Sequence, residues 1–129
     1  MSYYYSKIIE DSFENTLGKT EVALKQEGFG ILTEIDVQET LKKKLDVNFK
    51  KYKILGACNP PYAYKALLAE DKIGVMLPCN VIVIEQESNK TEVAAIDPVA
   101  SMQAVENDNL SSIAEEIKAK LKKAVDSLS

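Results

Sequence analysis

The segment Val81-Ile82-Val83-Ile84-Glu85-Gln86-Glu87-Ser88-Asn89-Lys90-Thr91-Glu92-Val93-Ala94-Ala95-Ile96 decides the fold. Its first four residues are apolar on both faces that a strand presents, the pattern of a central strand. Glu87-Ser88-Asn89-Lys90 carries turn chemistry, and Thr91 to Ile96 resumes a β-rich run, so the two halves predict an antiparallel hairpin. Asp97-Pro98 ends the sheet and a loop follows. The chain closes in an amphipathic helix with Leu110, Ile113, Ala114, Ile117, Leu121, Val125 and Leu128 on one face and lysine and glutamate on the other.

Upstream of the hairpin, Ile73 to Leu77 is a short apolar run that reads as a strand or a buried loop, interrupted by Pro78. Tyr52 to Cys58 is a strand, and Pro60-Pro61 stands where proline is tolerated at the start of a helix, here running to about Ala69. Phe29 to Ile35 is another strand. After it, Asp36-Val37-Gln38-Glu39 forms a capping box for a short helix with Val37, Leu41 and Leu45 inward and Lys42, Lys43 and Lys44 near its C-terminal dipole. Tyr3 to Ile9 is the first strand, and Asp11-Ser12-Phe13-Glu14 is a second capping box. The helix it opens carries Phe13, Leu17, Thr20 and Leu24 on one stripe and stops at Gly28, suited to the left-handed C′ position. Gly18 inside that helix costs up to about 1 kcal/mol relative to alanine, which reads as close packing against the sheet. The order β-α-β-α-β-α-β-β-α predicts an α+β fold: a two-layer α/β sandwich with a mixed or mostly antiparallel sheet and helices mainly on one face.

With 129 residues, 46% of them hydrophobic and 28% charged, the chain reads as one globular domain over residues 1–129. It contains no histidine, which removes histidine-activated nucleophiles, histidine-bearing zinc sites and histidine-ligated haem. No signal peptide and no run of about 18 apolar residues is present, so a cytoplasmic protein without a membrane partner is expected, its two cysteines reduced. The net charge of −4 and the absence of arginine disfavour nucleic acid as a partner. Lys42, Lys43, Lys44, Lys50, Lys51 and Lys53 make a basic island that can attract an anion, but a solvated face is the simpler reading.

Both cysteines are followed by asparagine with proline nearby, in Gly56-Ala57-Cys58-Asn59-Pro60 and Leu77-Pro78-Cys79-Asn80-Val81. If the end of one strand meets the start of the next, Cys58 and Cys79 can form a dithiol or a two-thiolate metal site, and Asn59 and Asn80 can line a ligand pocket. The competing reading makes each cysteine a small buried hydrophobe and each asparagine a turn residue. Glu34, Asp36 and Asp97 stand at strand ends, where carboxylates can cluster. Asp36 has a capping role and Asp97 precedes a proline turn, while Glu34 has no obvious structural role. Lys65, in the helix after Cys58, can reach the same crevice. Tyr3, Tyr4, Tyr5, Tyr62 and Tyr64 can form an aromatic surface for self-association.

Taken in order, Gly28-Phe29-Gly30 with Thr33-Glu34-Ile35-Asp36, Tyr52 through Pro60, Leu77 through Val81, and Ile96-Asp97-Pro98-Val99 resemble the prokaryotic family catalogued as domain of unknown function 302. The resemblance spans nearly the whole chain. It implies a compact, stand-alone, dimeric α+β domain of bacteria and archaea with no established reaction and no agreed catalytic residues.

Two functions follow as expectations. The first is a non-enzymatic homodimeric module that binds a small molecule or protein in a crevice lined by Cys58, Asn59, Cys79, Asn80, Asp97, Glu34 and Lys65, with no cofactor, metal or catalytic residue. The second is a thiol-dependent redox or metal-binding protein using Cys58 or Cys79.

Overall fold

The hairpin is the centre of the structure, a computed structural model that describes residues 2–129. Strands β4 (Cys79–Glu87) and β5 (Lys90–Ile96) pair antiparallel with Val83 opposite Val93. They turn through Asn89, which takes the left-handed conformation that asparagine tolerates, φ 59°. With β1 (Tyr4–Ile9), β2 (Gly30–Asp36) and β3 (Tyr52–Cys58) they form one sheet of order β1-β5-β4-β3-β2. All four pairings are antiparallel. The sheet is thus the mostly antiparallel form expected, with β4 in the middle.

Alternation along the strands divides the sheet into two faces. Ile9, Leu55, Ala57, Cys79, Val81, Val83, Val93 and Ala95 belong to one core with residues of α1 (Phe13–Gln26), α3 (Pro60–Ala69) and α5 (Asp108–Asp126). The C-terminal helix buries Leu110, Ile113, Ala114, Ile117, Leu121 and Val125 as its periodicity predicts, with Leu128 just beyond it. Lys7 on β1 holds the end of that helix, its ammonium donating to the carbonyls of Asp126 and Leu128, where a cation complements the helix dipole. Among the described residues no helix is long and apolar enough to cross a membrane.

Several local expectations are corrected. The N-cap of α1 is Ser12, whose hydroxyl accepts from the Asn15 N–H at 3.1 Å. Asp11 instead accepts from the Ser12 N–H and pairs with Lys19 at 2.6 Å, and Glu14 reaches Lys51 rather than back to the cap. Gly18 is not closely packed: a Cβ placed on it meets nothing within 4 Å. Helix α2 (Val37–Leu45) keeps half of its expected capping box: the Asp36 carboxylate accepts from the Glu39 N–H at 2.9 Å, while the Glu39 side chain pairs with Lys43 rather than reaching back. It buries no residue fully, however, and Leu45 is 66% exposed, because α2 packs beside β2 and β3 at the sheet margin. Ile73 to Leu77 is neither strand nor loop. It lies largely within a 3₁₀ helix, Asp71–Met76, that buries Ile73. Pro98 opens a short helix, α4 (Pro98–Ser101), where a loop was expected.

Candidate functional site

Cys58, Asn59 and Cys79 meet at one end of β3 and β4, around a cavity of about 20 Å³ also walled by Phe29, Pro78 and Met102. That volume holds about one water molecule. Ala57 stands directly opposite Cys79 in the ladder, and Cys58, one residue on, borders the same cavity. Both are free thiols, Cys79 buried and Cys58 half-buried. Burial pushes the Cys79 thiol up to about 11, with a smaller contribution from Cys58, so it is protonated at neutral pH.

Asn59 is buried and structural. Its side-chain amide donates to the Glu27 carbonyl at 3.1 Å, tying the start of α3 to the turn after α1. Gly28 in that turn has φ +88°, and a Cβ there would lie 3.2 Å from the Asn59 amide nitrogen. Glycine is therefore required twice over, by conformation and by space.

The remaining predicted residues do not join a crevice with these three. Glu34 gains the structural partner the sequence did not reveal, an ion pair with Lys53 at 2.7 Å across β2 and β3. Asp97 accepts from the Val99 N–H at 2.9 Å, capping α4, and pairs with Lys118 of α5 at 3.2 Å. The sheet order separates it from Glu34 and Asp36 by two strands, so no carboxylate cluster forms among them. Lys65 is exposed on α3, its ammonium 5.5 Å from the Tyr62 ring. The basic island is largely neutralised: Lys42 pairs with Asp46, Lys43 with Glu39, Lys51 with Glu14 and Lys53 with Glu34.

Asn80 belongs to a different place, the sheet face away from the core. Register puts Tyr52, Ile84 and Glu92 in one row across that face, Ile54, Ile82 and Ala94 in the next, and Asn80, Ile96 and Tyr4 in the third. Tyr3, Tyr4, Tyr52, Asn80, Ile82, Ile84, Glu92, Ala94 and Ile96 line a shallow depression of about 400 Å³ to which no helical residue contributes. Among the described residues Glu92 is the only ionisable acid or base in it apart from the tyrosines, and the Gln86 amide donates to its carboxylate at 2.8 Å. Tyr3 and Tyr4 pack edge to face at 5.1 Å beside it, and Tyr4 and Ile8 remain 44% and 51% exposed. The sequence carried two signals for this face, the second apolar side of Val81 to Ile84 and the tyrosine run. In sequence only the tyrosines read as a surface, because an apolar two-sided strand is otherwise a sign of burial on both sides.

Comparison with known proteins places the chain among relatives of unknown activity. The profile of the domain of unknown function DUF302 matches residues 5–128. A solved structure described as the crystal structure of uncharacterized conserved protein DUF302 from Bacillus stearothermophilus is 30% identical in sequence. That likeness covers 98% of each chain with a TM-score of 0.89. No curated protein matches the chain.

Proposed function

The chain belongs to the DUF302 family, a family of unknown function, and from that premise we propose that it is a non-enzymatic binding module that works as a homodimer through the open face of its sheet. The observation that carries this reading is the depression on that face, lined by isoleucines, alanine and tyrosines with one carboxylate. Charge-poor surfaces rich in tyrosine are the composition of interface cores. A second copy meets the area requirement. A face five strands wide and about six residues long spans roughly 24 by 20 Å, so two stacked faces bury on the order of 1,000 Å², the lower limit for a specific interface.

Stacking also turns two open depressions into one enclosed chamber, of a size that suits a small molecule, with Asn80 and Glu92 as its polar groups. The ligand of this reading therefore sits on the sheet rather than beside the cysteines, whose cavity of about 20 Å³ is too small for a metabolite. The thiol-based alternative is weakened by the burial of Cys79 and by the raised pKa that follows from it.

Ile82 lies in the middle row and on the middle strand, so Ile82→Asp places a charge at the centre of the contact while leaving the core untouched. Light scattering after size exclusion is expected to show a folded variant of half the wild-type mass. An unchanged mass would remove the open face as the contact.

A further inference from the structure

We infer that two copies also pair antiparallel along the free edge of β1, at an interface separate from the open face. The Asp97 N–H donates to the Tyr3 carbonyl at 2.8 Å, so odd-numbered residues of this strand turn their main-chain groups toward β5. Tyr4, Ser6 and Ile8 then turn theirs outward. The Ser2 side chain is consistent with this at one end, donating to the Tyr4 carbonyl at 2.8 Å and accepting from the Tyr4 N–H at 3.3 Å.

Proteins ordinarily protect such edges with bulges, proline or outward lysine. Strand β1 keeps unbroken register with β5 from Tyr4 to Ile9 and contains no proline. Its one lysine, Lys7, is committed to the end of α5. The opposite edge, β2, does carry a bulge, between Ile31 and Thr33.

The occupant is a second copy because the strand complements itself. A two-fold axis through Ser6 sets Ser6 against Ser6 and Tyr4 against Ile8 on the open face, and Tyr5 against Lys7 on the covered face. Aromatic-to-aliphatic pairs of this kind stabilise a ladder. An axis through Lys7 would instead oppose two lysines, which destabilises it. On pairing, the partner's Ile8 main chain takes the place of Ser2 at Tyr4. This axis is normal to the sheet, and a face-stacking axis that runs along the row Ser6, Ala94, Ile82 and Ile54 meets it at a right angle, so edge and face contacts together close a four-chain assembly with three mutually perpendicular two-folds. The β1 pairing is made by outward main-chain groups that the open-face contact does not use, although the Tyr4 side chain borders both, and it stands or falls separately.

Amide hydrogen exchange on the unmodified protein, with sedimentation equilibrium on Ser6→Pro, tests it. Proline at position 6 removes an outward N–H and no bond to β5. The expected results are slow exchange at Ser6 and Ile8 that quickens on dilution, a wild-type mass near four times the 14.3 kDa chain, and half that mass for Ser6→Pro. Fast, concentration-independent exchange at both amides overturns the pairing, and decides the matter alone if Ser6→Pro does not fold. A folded Ser6→Pro protein with unchanged mass also overturns it. In that case a mass halved by Ile82→Asp would leave the open-face reading standing.

Discussion

Gly56 is held to glycine by its neighbours rather than by its backbone. A Cβ there would lie 2.1 Å from the Thr33 hydroxyl and 2.8 Å from Cγ of Pro78. The threonine can rotate away but the proline ring cannot, so Gly56→Ala is expected to cost about 1 to 3 kcal/mol in urea unfolding, as overpacking does. Thr33→Ala in the same chain should recover only part of that loss. Asp11 controls part of the acid limb of stability. The Lys19 ammonium, then the Asn15 amide and the Ser12 N–H, hold its carboxyl down to about 2. A lowered folded-state value stabilises above the ordinary aspartate range near 4 and loses that contribution as pH falls from about 4 toward 2. Urea midpoints measured from pH 5 to 2 should therefore fall less steeply for Asp11→Asn than for wild type. At Cys79 the prediction is chemical: a thiol reagent at neutral pH should leave it unmodified in the folded protein and label it after unfolding, read by peptide mass spectrometry.

Helices and strands differed in how much of themselves the sequence disclosed. The C-terminal helix was legible from its apolar period, because its whole stripe meets one continuous sheet face. Helix α2 shows the same period in Val37, Leu41 and Leu45 yet buries none of them fully, since it flanks β2 and β3 at the margin of the sheet and meets no second layer. The period reports amphipathicity, and only the topology decides how much surface is there to cover it. Capping was legible where one acceptor stood alone, at Asp36, and misplaced by one residue where Asp11 and Ser12 competed for the same role. Gly18 reverses a sequence inference: with open space around it, Gly18→Ala should raise stability by up to about 1 kcal/mol through helix propensity, measured as a higher midpoint of chemical unfolding.

The whole sheet could be anticipated in outline because its hairpin is written in contiguous residues, whereas its candidate site could not. Cys58 and Cys79 looked equivalent in sequence, each followed by asparagine. The structure buries Cys79 and leaves Cys58 half-buried at the same small cavity, and that depends on pairing β3 with β4 at a register no local motif encodes. The open face is assembled a few residues at a time from β1, β3, β4 and β5, so it exists only after the strand order is known. Its middle residue, Ile82, offers the clearest test. Sedimentation equilibrium of wild type and Ile82→Asp at equal concentration should show the variant at half the wild-type mass, with its far-ultraviolet circular dichroism unchanged. A folded Ile82→Asp protein with the full wild-type mass would contradict assembly through the open face.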